Sequence, residues 1–217
     1  EALVRWHNAD GSLKYPDQFI PVLEEVGYIV NVDFCVFRQV LDSLKRWKEE
    51  GRRRLPISVN FSRVHFRDQH FGDKILAMLK EYEVEPEYIE IEVTESCISG
   101  NPMGMVQQMT QLRENGLKIA MDDFGIGYSS LGMLIDANVD IVKVDKSFID
   151  HYETDQEQQY INRIGQLVRA AGKDIIFEGV ETRQQVEFLR DYGYDKAQGY
   201  VFSKPVPILE FEKWMDE

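Results

Sequence analysis

The chain has 217 residues, 43% of them hydrophobic, which suffices for a well-filled core. No apolar run approaches the roughly 18 residues that cross a bilayer, and the opening "EALVRWHNAD" lacks the apolar segment of a signal peptide. Twenty-five Lys and Arg against 38 Asp and Glu leave a net charge of −13, which argues against long nucleic acid as a partner but admits a small phosphorylated ligand if divalent cations reverse the local sign.

In chain order, short β-branched runs alternate with longer helical patterns. A strand is predicted over 1–6, then helices over 17–26 and 33–50. In the second helix Val40, Leu41, Leu44 and Trp47 form a core-facing stripe. The basic "GRRRLP" at 51–56 reads as a solvated turn at the end of that helix, where cations suit the macrodipole. Next come a strand over 56–61 ("PISVNF"), a helix over 72–82, a strand over 89–94 ("IEIEVT") and a helix over 103–115. Strand 118–122 ("KIAMD") precedes helix 130–137, and strand 139–144 ("VDIVKV") precedes helix 155–171. Strand 174–177 ("DIIF"), helix 182–192, strand 196–199 ("KAQG") and helix 209–215 complete the series. Gly116 and Gly172 stand where a glycine ends a helix, and Thr182 where an N-cap starts one.

This repetition means an α/β fold with a mostly parallel sheet. A (β/α)8 barrel needs eight strand–helix units, and seven are counted, so one N-terminal strand is expected to be missing. No linker interrupts the chain, so a single domain over 1–217 is expected, as a C-terminal fragment of a longer signalling protein. Cys35 and Cys97 lack metal or disulfide spacing and are expected to be buried free thiols of a cytoplasmic domain. His7, His65, His70 and His151 are scattered and read as surface or packing residues.

In such folds chemistry collects at the C-terminal ends of the strands. In strand order those ends carry Glu1 and Arg5, then Asn60, Glu92 and Glu95, Asp122 and Asp123, Lys143 and Asp145, Glu178 and Glu181, and Gln198. A ring of carboxylates repels itself unless cations lie among them. Carboxylate and amide oxygens without cysteine or clustered histidine favour Mg2+ or Mn2+ over zinc. If the alternation breaks at the end of its strand, Asp122 can reach one ion and Asp123 a second, and two such ions stabilise a phosphoryl transfer. Lys143 then orients water or neutralises developing charge. A glycosidase using paired carboxylates fits Asn60, Lys143 and the tandem aspartates less well.

Seven stretches together resemble the EAL domain, a phosphodiesterase family that hydrolyses cyclic di-GMP in bacterial signalling. They are "EALVRW" at 1–6, "SVNFS" at 58–62, "EVTES" at 92–96, "DDFGIGYSSL" at 122–131, "KVDKSFI" at 143–149, "EGVET" at 178–182 and "QGYVFSKP" at 198–205. The resemblance implies a modified TIM barrel whose first, antiparallel strand precedes the EAL tripeptide. It implies two-metal hydrolysis to linear pGpG, with Glu1, Asn60, Glu92, Asp122 and Asp123 as metal ligands. Lys143 resembles the lysine that holds the nucleophilic water and Glu178 the glutamate beside it. Gln198 matches the glutamine that orders metal-bound solvent, and Glu95 the glutamate that braces the loop after the aspartates, whose Gly125 and Gly127 let it tighten. Arg5 matches a phosphate-contacting arginine, and Asp145, Glu181 and Tyr200 match residues in or around the substrate pocket. The resemblance also implies a homodimer, upstream sensory or diguanylate-cyclase-like domains and no direct membrane contact. Two departures are Ile126, where threonine is usual, and Phe61, where leucine is common. A catalytically weak receptor or relay module for cyclic di-GMP is the alternative.

Overall fold

Residues 1–6 do not run as the strand that the sequence predicts. In a computed structural model, which describes residues 1–99, 103–126 and 131–215, Ala2 makes a lone parallel bridge to Val59, its N–H donating to Ser58 O at 2.8 Å. Trp6–His7 (β1) instead pairs antiparallel with Leu13–Lys14 (β2). The turn between them decides this locally. Asp10 Oδ1 accepts from the Ser12 N–H at 2.9 Å and from its hydroxyl at 2.6 Å, an Asx-type turn that folds the chain back on itself.

The chain continues through α1 (Pro16–Glu25), α2 (Ile29–Glu49), β3 (Ile57–Asn60), α3 (Phe71–Tyr82) and β4 (Ile89–Thr94) into α4 (Glu95–Ser99) and α5 (Met103–Glu114). It goes on through β5 (Lys118–Phe124), α6 (Leu131–Asp136), β6 (Ile141–Val144), α7 (Lys146–Ile149), α8 (Asp155–Ala170), β7 (Asp174–Phe177), α9 (Arg183–Asp191) and α10 (Ile208–Met215). These elements fall into two compact units. The first holds residues 1–93 and 103–118, and the second residues 94–99, 119–126 and 131–215. Ser130, the first residue of a predicted helix, and Gly127 lie outside the described residues.

In the first unit β3 and β4 are parallel, with Asn60 paired opposite Glu92. Helix α2 packs on β3 and α3 through the predicted stripe. Phe37, Leu41, Leu44 and Trp47 are wholly buried, each worth roughly 1.5–3 kcal/mol of burial. Cys35 lies off that stripe and is exposed, contrary to expectation, whereas Cys97 is buried. Nor is the basic turn at 51–56 merely solvated. Arg54 ion-pairs with Glu85 and lies 4.1 Å above the Tyr88 ring, and Lys48 Nζ is 2.8 Å from Glu85.

In the second unit β5, β6 and β7 are parallel neighbours. All four residues of β6 are buried, as expected of a strand covered on both faces, and α8 packs on β7. Strand 196–199 of the sequence analysis reduces to one bridge, Phe177 to Ala197. Thr182 caps α9, accepting from Gln185 N–H at 3.2 Å, and Gly116 and Gly172 follow their helices at φ +92° and +73°. Among the described residues no helix is long and apolar enough to cross a membrane.

Candidate active site

In the first unit the parallel register of β3 and β4 sets Asn60 beside Glu92, and the bridge at Ala2 brings in Glu1. The Asn60 carboxamide nitrogen donates to Glu1 Oε1 at 2.8 Å and to Glu92 Oε2 at 3.1 Å. Glu92 is 1% exposed, and a buried carboxylate needs such partners. Two carboxylates therefore converge on one amide. The Arg5 guanidinium donates to Val4 O at 2.7 Å.

In the second unit the centre is Lys143, a fully buried ammonium on an otherwise apolar strand. Its Nζ lies 2.8 Å from Glu178 Oε1 and 3.7 Å from Asp122 Oδ1. The two carboxylates supply the compensation that a buried cation requires. Glu178 is delivered by the end of β7, where its N–H donates to Val144 O at 3.0 Å. Gly179 follows at φ +66°, and a Cβ there would fall 2.1 Å from the Lys146 Cβ, so the chain after Glu178 passes closer to the start of α7 than any side chain permits.

The tandem aspartates occupy a break in strand regularity. The predicted strand ends at residue 122, but β5 continues to Phe124, and its register against β6 slips between Met121 and Phe124. Asp123 takes the left-handed conformation, φ +58°, which aspartate tolerates better than most residues. Its N–H donates to Asp122 Oδ1 at 3.0 Å. The expected failure of alternation is therefore a bulge. Glu95, 4% exposed at the start of α4, accepts from Gly125 N–H at 2.8 Å. Sequence reasoning missed Phe148. Gly125 has φ +100°, and a Cβ on it would lie 2.2 Å from the Phe148 ring. Two glycines in a loop signal mobility as readily as close packing, so the sequence carries no sign of this contact.

The remaining candidates are more loosely held. Asp145 caps α7, accepting from Ser147 N–H at 2.9 Å. Glu181 is exposed, with Lys146 Nζ 3.8 Å away. Gln198 is fixed through its main chain, its N–H donating to Phe177 O at 2.8 Å. Tyr200 is exposed beneath Lys204, whose Nζ is 5.5 Å from the ring centre. Among the described residues no three His, Cys, Asp or Glu side chains stand together as a ready metal cage. The cluster of Glu1, Asn60 and Glu92 has the donor chemistry that hard cations take, two carboxylates and an amide oxygen. His7, His70 and His151 are exposed and His65 is buried, in keeping with surface and packing roles.

The EAL domain family pattern matches residues 1–205. The chain belongs to the EAL domain family. This EAL domain is 34% identical over 218 residues to cyclic di-GMP phosphodiesterase PdeR of Escherichia coli, covering 99% of this chain and 32% of the relative. It is 33% identical over 217 residues to the probable cyclic di-GMP phosphodiesterase PdeB of the same organism, covering 100% of this chain and 41% of that protein. The solved PaMucR phosphodiesterase in complex with cyclic di-GMP superposes with a TM-score of 0.88 at 31% identity, covering 96% of this chain and 85% of that one. The chain thus spans less than half the length of these curated relatives. The likeness makes the fold α/β, and the parallel strands with their helices are consistent with a modified TIM barrel.

Proposed function

We propose that this EAL domain hydrolyses one phosphodiester bond of cyclic di-GMP to give linear pGpG, in bacterial second-messenger signalling. The observation that carries the reading is Lys143, buried and paired with Glu178 and Asp122. A buried ammonium held between carboxylates is poised to orient an attacking water rather than to stabilise the fold, since buried ion pairs are weak stabilisers. The proteins it resembles, PdeR, PdeB and PaMucR, are named as phosphodiesterases or bear cyclic di-GMP, and each predicted strand end carries a carboxylate, amide or ammonium candidate.

Glu1, Asn60 and Glu92 in the first unit, and Asp122 and Asp123 in the second, would hold divalent cations, Mg2+ or Mn2+. When bound, these ions neutralise phosphate charge and activate the nucleophile and leaving group. Lys143 orients the water by hydrogen bonding, and the Glu178 carboxylate takes its proton. A new bond forms from the water oxygen to phosphorus, and the bond from phosphorus to the ribose 3′ oxygen breaks. That oxygen leaves as the 3′ hydroxyl, protonated by solvent that in turn takes back the proton held by Glu178, and the water oxygen stays on the 5′ phosphate of pGpG. Glu95 keeps the Gly125 turn in place, Gln198 orders solvent, and Arg5, Asp145, Glu181 and Tyr200 line the substrate pocket or support it.

We further propose a homodimer in the cytoplasm, joined to upstream sensory or cyclase-like domains. The extra length of the relatives supports the added domains, and sedimentation showing a monomer at assay concentration overturns the dimer. The central test is an assay of the full-length protein with Mn2+, with and without chelator. Chelator-sensitive conversion of cyclic di-GMP to pGpG is expected. Tight binding with no turnover overturns hydrolysis in favour of a receptor.

A further inference from the structure

The segment that carries Asn60 is fastened two residues further on by side chains outside every motif above. Ser62 lies where β3 gives way to a short 3-10 helix, Arg63–Arg67. Its N–H donates to Asp33 Oδ2 at 3.0 Å, and its hydroxyl bonds to Glu24. The same Asp33 oxygen accepts from His65 Nε2 at 2.9 Å. Asp33 and His65 are 9% and 2% exposed, and the His65 ring is packed by Phe34, Phe61 and Phe71 at centroid distances of 5.1, 5.1 and 4.9 Å. Asp33 belongs to α2, so a carboxyl group on a core helix receives two hydrogen bonds from one short stretch, 62–65.

Only Phe61 separates this anchor from Asn60. Its N–H donates to Glu92 O at 3.0 Å, and its ring is 3% exposed, 5.6 Å from Phe37. The main chain is thus held on both sides of Asn60, by the ladder to β4 and by Asp33. A carboxamide has two torsions, and its reach is set by where its backbone stands. Apolar side chains would stabilise this core at least as well as a buried carboxyl group. What the carboxyl group adds is a fixed position.

We infer that Asp33 is a positioning residue that acts through the Ser62 N–H to hold Asn60 against Glu1 and Glu92, with His65 orienting Asp33. The inference rests on the reading of Asn60 as a cation ligand. Residues that orient ligands from behind change metal affinity by about 10- to 100-fold.

The test compares Asp33→Ala, Asp33→Asn, Ser62→Pro and Ser62→Ala in the full-length protein. Ser62 has φ −61°, which proline adopts, so Ser62→Pro deletes the N–H donor and Ser62→Ala controls for the lost hydroxyl. Three quantities are read: Mn2+ affinity by calorimetry, the Asn60 side-chain amide resonance without metal, and exchange of the Ser62 N–H where it remains. Asp33→Ala is expected to weaken Mn2+ binding about tenfold, shift the Asn60 resonance and speed Ser62 exchange. Asp33→Asn keeps an acceptor and stays within about threefold of wild type. Ser62→Pro follows Asp33→Ala in affinity and resonance, and Ser62→Ala does not. Wild-type affinity and an unmoved Asn60 resonance in folded Asp33→Ala or in Ser62→Pro overturn the inference. If Asp33→Ala fails to fold, the Ser62 pair decides. A wild-type protein that binds no Mn2+ and makes no pGpG defeats the functional reading instead, while resonance and exchange still judge the anchor.

Discussion

Lys143 is an ammonium on a strand whose other residues are all apolar, and its removal separates chemistry from packing. Lys143→Ala should lower the rate of pGpG formation at saturating Mn2+ by about 10²–10³-fold, the usual effect of losing one preorganised donor. Gly125→Ala adds a Cβ at φ +100° against the Phe148 ring, and should cost on the order of 1–3 kcal/mol in urea unfolding. Adding Phe148→Ala removes the collision and should make the pair less destabilised than the sum of its singles. Ile126 is 63% exposed, and its N–H bonds to Asp123 O at 3.3 Å. Ile126→Thr keeps that main-chain bond and should leave turnover within about twofold, as surface substitutions usually do.

At the level of elements, the brace between the ends of α2 and α3 gives a pH signature. Hydrogen bonds from Arg54 first, and then Lys48, lower the Glu85 carboxyl from 4.5 to about 2. A folded value below the unfolded one stabilises above pH 4.5, and that contribution fades as pH falls towards 2. The Glu85 side chain is 42% exposed, so water screens the pair and the effect is small. The stability gap between wild type and Glu85→Gln should be measurable at pH 6, shrink in 1 M salt and close near pH 2. Elements of this kind were unevenly legible. β4 and β7 match their predicted bounds because β-branched residues fill buried positions in both, Ile89, Ile91 and Val93 in one and Ile175 in the other. The helix starting after Thr182 was visible through its cap chemistry. Residues 1–6 misled, because an apolar run predicts a strand and does not say where the partner is; the turn at Asp10 and Gly11 was the available clue to β1 and β2. The candidate site residues were legible only as residue types at strand ends. The break in alternation at the tandem aspartates was foreseen, but its form, set by register against β6, was not, nor was the reach of Asp33 to Ser62, 29 residues away.

For the whole molecule, a net charge of −13 favours the approach of cations. An ion that binds the folded state alone stabilises by about 2.7 kcal/mol at a hundredfold excess over its dissociation constant. Millimolar Mn2+ should therefore raise the melting temperature by several degrees, and chelator should return it to the starting value; an unchanged melting curve argues against tight metal binding. The two compact units have a different consequence, for synthesis. Neither unit is a continuous stretch of chain, because residues 94–99 belong to the second and residues 103–118 return to the first. The ribosome delivers the chain from one end, so the first unit stays incomplete until residue 118 emerges. By then a fragment of the second has waited, without the rest of its unit, for the remaining hundred or so residues to arrive. Nascent chains stalled near residue 95 should accordingly be protease-sensitive, and no truncation at a single point yields either unit free of residues that belong to the other.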